Sequence, residues 1–131
     1  MITYYCPECW SEITGTDSHC PKCGFELAQY DALSFEKKLV LSLEHPIPDM
    51  RLQAIHILGD LGSLAALPGL EKLLDTETKD IYALREALEA LSKIQGTRSR
   101  EILQKATQHP FPIIRQLAER LLENRPIDSY D

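Results

Sequence analysis

The stretch His45-Pro-Ile-Pro-Asp-Met-Arg51-Leu-Gln-Ala54 returns 64 residues later as His109-Pro-Phe-Pro-Ile-Ile-Arg115-Gln-Leu-Ala118, with the histidine, both prolines, the arginine and the alanine in register. A third copy lies between them at an offset of 33, where Ala54, Ile55, Leu58 and Leu61 correspond to Ala87, Leu88, Leu91 and Ile94. A unit that recurs every 31–33 residues buries its apolar face only against its neighbours, which is the pattern of a helical solenoid. The middle copy departs from the other two: Leu84 stands where the first has Arg51, and Gln95 where it has Gly62.

Helices follow on either side of these turns from apolar spacing and from start and stop residues. Ser34 caps a helix with Phe35, Leu39, Val40 and Leu43 on one side, ended by His45-Pro46. Asp49 opens the next, with Ala54, Ile57, Leu58 and Leu61 as its buried stripe and Gly62 as its stop. Leu67, Leu70, Leu73 and Leu74 line a third helix that starts near Pro68, and residues 78–94 form a fourth, stopped at Gly96. Ser99 begins a fifth with Ile102, Leu103 and Ala106, and Pro112 a sixth with Ile114, Leu117, Ala118, Leu121 and Leu122, ending before Pro126. Six helices make three antiparallel hairpins over residues 34–124, and residues 125–131 form a C-terminal tail.

The Pro-x-x-Arg spacing (Pro48/Arg51, Pro112/Arg115) and the Leu58-Gly-Asp-Leu61-Gly62 ending resemble HEAT-like repeats of the phycobilisome-lyase type. The resemblance implies a mainly α fold, an α-α superhelix of three helical hairpins. It also implies a protein-binding scaffold, since most such repeats bind proteins and few are enzymes or enzyme accessories. The second helix of each repeat usually lines the concave side in such solenoids, which makes Glu71, Lys72, Arg100, Gln104 and Lys105 the candidate partner contacts. Di-iron hydroxylases built on these repeats carry repeated His-Glu pairs, and the chain has no His-Glu dipeptide. Bilin lyases of this fold are longer and show a site that this chain does not. His45 and His109 occupy equivalent helix ends, which favours structural work on late carbonyls and the helix dipole over catalysis. Arg51 and Arg115 are expected to pair with carboxylates or carbonyls across adjacent repeats. His56 has no evident carboxylate partner and reads as a groove or surface residue; Glu101 and Lys105 have i,i+4 spacing.

All four cysteines precede the repeats, as Cys6-Pro-Glu-Cys9 and Cys20-Pro-Lys-Cys23-Gly24 with ten residues between the pairs. Two C-x-x-C turns each present two thiolates on one side of a tight loop, and together they supply a closed tetrahedral site of four sulfurs. Zinc is the first choice for the ion, as one structural Zn2+, with iron the alternative because thiolates accept both. Four cysteines leave no position for a catalytic water, and a redox-active C-x-x-C would require a βαβ context. A segment of this length cannot bury a useful core, so the metal has to serve as one. Residues 10–13 read as a strand, 14–17 as a turn and 25–27 as a possible returning strand. The motifs resemble zinc-ribbon domains of the rubredoxin-knuckle type over residues 1–28, joined by a connector at 29–33 to the repeats. Tyr4, Tyr5, Trp10 and Phe25 are placed to shield the metal and dock the ribbon on its neighbour, with Trp10 or Tyr5 meeting Phe35 or Leu39.

The 131 residues carry a net charge of −6 and are 44% hydrophobic and 26% charged, a composition that folds. Lys22 is the only basic residue among the first thirty, against four acidic ones, and residues 31–131 hold 13 basic against 16 acidic. Such a balance disfavours nucleic acid, whose binding depends on cations neutralising phosphates. No run of 18 apolar residues and no basic, apolar start occurs, which reads as a cytoplasmic protein without a membrane span. With no nucleophile–base pair or phosphate loop in the sequence, the expectation is a non-enzymatic adaptor with a protein partner. The alternatives are a nucleic-acid-associated zinc-ribbon factor and a lyase or enzyme-accessory subunit.

Overall fold

The structure, a computed structural model, describes residues 4–14 and 17–124. Two short strands, β1 (Tyr4–Tyr5) and β2 (Glu12–Ile13), pair antiparallel with Tyr4 opposite Ile13. Seven helices follow: α1 (Leu27–Asp31), α2 (Phe35–Leu41), α3 (Pro48–Leu61), α4 (Leu67–Thr76), α5 (Ile81–Lys93), α6 (Thr97–Ala106) and α7 (Pro112–Asn124). Single 3-10 turns, Ser42–Glu44 and Leu64–Ala66, extend α2 and lead into α4. The last six helices form the three expected hairpins. In one layer α3 packs on α5 and α5 on α7; in the other, α4 meets the Ser42–Glu44 turn on one side and α6 on the other.

Most starts and stops obey the residues that announce them. The Ser34 hydroxyl accepts the Lys37 N–H at the start of α2, and Pro48 sits at the first position of α3, where its lack of an N–H costs nothing. Gly62 ends α3 in the left-handed region at φ +65°, and the Ser63 N–H then reaches back to the Leu58 carbonyl. Three starts differ from expectation. Helix α3 begins at Pro48, so Asp49 lies within its first turn instead of opening it. Helix α5 begins at Ile81 rather than at 78, because Asp80 turns its carboxylate onto the Ala83 N–H. Helix α6 begins at Thr97, and Ser99 lies fully buried inside it, donating to the Ile94 carbonyl at 2.6 Å and to the Leu91 carbonyl at 3.2 Å at the end of α5.

The core runs through both layers. Ile55, Leu58, Leu70, Leu84, Leu88, Leu91, Ile94, Ile102, Leu103 and Ile114 are buried completely or nearly so, each stabilising the fold by roughly 1.5–3 kcal/mol relative to exposure. Helix α5 touches every other helix of the stack from α3 to α7 and is its centre. Two residues assigned to buried stripes are outside: Phe35 is 64% and Leu61 54% exposed. Leu61 is the last residue of α3, directly before the Gly62 turn. Between α3 and α5 the backbones come very close, since a Cβ on Gly59 would lie 2.8 Å from the Ala90 Cα.

The repeated turns make the joints between hairpins. In His109, Nδ1 accepts the Phe111 N–H at 3.1 Å, which leaves Nε2 to donate to the Leu74 carbonyl of α4, also at 3.1 Å. The ring thus satisfies a late carbonyl, but of the preceding hairpin rather than of its own helix. His45 repeats the first bond, its Nδ1 accepting the Ile47 N–H at 3.1 Å. Arg51 reaches across to the next hairpin, donating to Glu77 at 2.9 Å and Asp80 at 2.7 Å. Arg115 instead donates to the carbonyls of His109 and Pro110 in its own turn, at 3.0 and 3.1 Å.

Around the cysteines the strand at 10–13 is present at Glu12–Ile13, paired with Tyr4–Tyr5, but the expected returning strand at 25–27 is not a full strand. Glu26 forms a single bridge with His19, and Leu27 then starts α1, which runs across the expected boundary between residues 28 and 29. The expected turn at 14–17 is described only at its ends, where Thr14 N–H donates to the Asp17 carboxylate at 3.1 Å. Gly15, Thr16 and the tail at 125–131 lie outside the described residues.

Candidate metal centre

Two loops of the same construction hold the sulfurs. In the first, the Trp10 N–H donates to the Cys6 carbonyl at 2.8 Å and the Cys6 N–H to the Ser11 carbonyl at 2.9 Å. In the second, the Gly24 N–H donates to the Cys20 carbonyl and the Cys20 N–H to the Phe25 carbonyl, both at 2.9 Å. Both bonds recur in the same pattern fourteen residues later, so Trp10 and Gly24 are equivalent positions. Both are left-handed, at φ +62° and +81°. Glycine takes that conformation freely; a tryptophan does so at a cost and needs something to hold it.

The four Sγ atoms lie within 4.8 Å of one another, with Cys6 to Cys23 and Cys9 to Cys20 both at 3.6 Å. Four sulfurs about 2.3 Å from one ion stand at the corners of a tetrahedron with edges of about 3.8 Å. Backbone N–H groups point at the sulfurs from two residues further on: Glu8 to Cys6, Ser11 to Cys9, Lys22 to Cys20 and Phe25 to Cys23. The Ser11 hydroxyl adds a contact of 3.1 Å to Cys9 that the second loop, with Phe25 there, lacks.

This asymmetry divides the thiols. The Ser11 hydroxyl and N–H hold the Cys9 thiol down at about 6, and the Cys23 and Lys22 N–H groups lower Cys20. For Cys23 the Phe25 N–H favours the thiolate, but desolvation and the neighbouring sulfurs push it up to about 12. Without a cation among them, four sulfurs this close cannot all ionise. The donor set, its spacing and its N–H contacts all fit a thiolate-loving ion of tetrahedral preference.

Tyr5 and Trp10 leave the first loop on either side of Cys6 and Cys9 and both land on His45, a partner that the sequence reading does not name. The ring centroids stand 5.2 Å and 5.0 Å from the imidazole, at 66° and 55°. Burial holds the His45 imidazole below the usual histidine range, in keeping with a neutral ring whose Nδ1 accepts an N–H.

Of the residues singled out on the helices, Glu71, Lys72 and Lys105 are engaged within the chain. Glu71 takes Arg98 at 2.7 Å and Lys105 at 3.4 Å, and Lys105 also reaches Asp75 at 3.0 Å. Lys72 pairs with Glu44. Lys72 and Lys105 are 33 residues apart and do the same thing, each reaching back to a carboxylate of the preceding helix or turn of the same layer. Glu101 pairs with Arg98 at 3.2 Å rather than with Lys105. Arg100 is half-buried and Gln104 exposed on α6. His56 does have carboxylate partners, Asp60 at 3.2 Å and Glu86 at 3.0 Å. The first was visible as an i,i+4 pair; the second belongs to the next repeat, 30 residues away.

The chain matches the family model for HEAT repeats over residues 27–123 and belongs to that family. No curated protein matches it. The matched segment starts after the cysteines, and none of the helices described is long and apolar enough to cross a membrane.

Proposed function

We propose that the protein is a non-enzymatic adaptor of the cytoplasm. Residues 1–28 form a zinc ribbon around one structural Zn2+ held by Cys6, Cys9, Cys20 and Cys23. Residues 34–124 are a HEAT-repeat scaffold that offers a helical surface to a protein partner. The observation that carries this reading is the convergence of four sulfurs, at near-tetrahedral separations, on a stack of repeats. When bound, zinc would supply charge neutralisation and a fixed geometry, and four sulfurs leave no open position for substrate. The iron alternative is a matter of the same ligands taking a different ion.

The partner surface we favour is the α4–α6 layer. Between these helices runs a groove of about 350 Å³, lined by Leu74, Ile102, Ala106 and Phe111, with Glu71 and Lys105 beside them. Lys72 lines a second groove of about 510 Å³ next to Trp10, and Arg100 and Gln104 extend the surface along α6. A partner there exchanges existing ion pairs for its own.

Metal analysis of the reduced full chain tests the first half, with one zinc per chain expected. Capture of a partner by the tagged full chain tests the second, comparing the native chain, a Glu71→Ala/Lys105→Ala variant and a chelated sample. A specific protein retained by the first and lost by the second supports the reading. A metal-free chain with reduced thiols, or turnover of a substrate at a cleft in the stack, overturns it.

A further inference from the structure

We infer that the cysteine loops occupy the place that a preceding repeat holds at the later joint, so that metal in those loops controls the order of the first hairpin. This rests on the metal-binding reading above. At the later joint, His109 holds the Phe111 N–H with Nδ1 and is anchored on the preceding hairpin through Nε2 and the Leu74 carbonyl. At the earlier joint, His45 holds the Ile47 N–H in the same way, and what lies against its ring is Tyr5 and Trp10.

Trp10 supplies a second, independent observation. It keeps a left-handed backbone where the equivalent residue of the other loop is glycine. A side chain is retained there against its conformational cost, and the ring it carries is the one that meets His45 at 5.0 Å. Tyr5 adjoins Cys6 and Trp10 adjoins Cys9, so an ion that fixes those two sulfurs fixes both rings. The His45 turn in turn starts α3, where the Met50 and Arg51 N–H groups bond the Ile47 carbonyl. Arg51 carries the link onward to Glu77 and Asp80. Trp10 and Arg51 also line the same groove of about 510 Å³, so loss of the ring opens that groove on one side.

The test is amide hydrogen exchange on the full chain, with metal content measured on the same samples. Three are compared: the native chain with zinc, the native chain after chelation under reducing conditions, and Trp10→Gly with zinc. The glycine variant keeps the turn and all four cysteines and deletes only the ring. Exchange at Ile47, Met50 and Arg51 is expected to quicken in the second and third samples, roughly tenfold at the upper end of what losing one aromatic contact produces. The amides of α5 stay as they were. Unchanged exchange at those three amides in zinc-loaded Trp10→Gly overturns the inference while leaving zinc binding intact. So does unchanged exchange there after the metal has demonstrably left the native chain, or equal acceleration throughout α5. A native chain that takes up no zinc overturns the metal reading and this control together.

Discussion

Gly59 is the residue on which the α3–α5 contact turns. Its hydrogen faces Ala90 so closely that a methyl group would lie 2.8 Å from one backbone atom and 2.9 Å from the Ala90 Cβ. Neither can rotate away, so α3 and α5 must separate. Gly59→Ala is therefore expected to destabilise the protein by about 1–3 kcal/mol despite the better helix propensity of alanine. Gly69 makes the informative comparison. A methyl there would meet the Leu43 Cδ1 at 2.6 Å, an atom at the end of a side chain that can change rotamer. Gly69→Ala should cost clearly less, and urea unfolding midpoints of the two variants measured together decide the point. The role of Gly59 was not legible in the sequence. Its place in the Leu58-Gly-Asp-Leu61-Gly62 run reads as part of a helix ending, while the partner that demands a missing side chain lies 31 residues away. At Trp10 the sequence shows half of the matter: Cys6-Pro-Glu-Cys9-Trp10 aligns with Cys20-Pro-Lys-Cys23-Gly24, but nothing local signals that the tryptophan keeps the left-handed turn of the glycine.

Between elements, the repeated turn works as a two-sided joint, with the histidine facing back and the arginine facing forward. Arg51 is only 18% exposed and its fork is shared between Glu77 and Asp80, which also organise the start of α5. Arg51→Ala should cost about 1–3 kcal/mol, the range for charge-assisted bonds at a part-buried site, read as a lower unfolding midpoint. Glu77 gives the joint a pH dependence. The Lys79 N–H, with those of Asp80 and the Arg51 guanidinium, holds its carboxyl below the ordinary 4.5. A lowered carboxylate contributes stability that is present above its unfolded value and lost as pH falls through its folded one. Between about pH 5 and pH 3 the native protein is expected to lose more stability than Glu77→Gln, measured by urea midpoints across that range. Matching losses would remove Glu77 from the acid response. At this scale the sequence was a good guide wherever the signal was local: Ser34, Gly62, Gly96 and Pro112 all mark real boundaries. It misled where a polar side chain had a distant use. Asp80 caps α5 and receives Arg51, so the helix starts later than its apolar pattern suggests. Ser99 looks like a cap and is instead buried against the end of α5.

Across the whole molecule the stack is graded from its middle outward. Helix α5 is packed on both sides within its layer and against both α4 and α6, whereas α7 presents exposed Gln116, Glu119, Arg120 and Glu123 where α3 has Leu52, Ile55, His56 and Gly59. Repeats coupled only to their neighbours open from the less-contacted elements first, and their stability is a sum of local and interface contributions. The slowest-exchanging amides should therefore lie in α5, with α2 and α7 faster. Core truncations should follow the same gradient. Leu88→Ala removes a side chain with no exposed surface, flanked by Leu84 and Leu91 on the same buried face, and should cost about 3–5 kcal/mol. Leu121→Ala on α7 removes one that is only partly buried against that core. It should cost roughly 1 kcal/mol and quicken exchange in α7 alone, because a site open on one side collapses or fills with water instead of keeping a cavity. Circular dichroism melts give the two costs, and exchange in each variant gives their reach. Equal costs, or slowest exchange in α7, would mean that the repeats share one undivided core and that the joints at His45, Arg51 and His109 are not where its stability is partitioned.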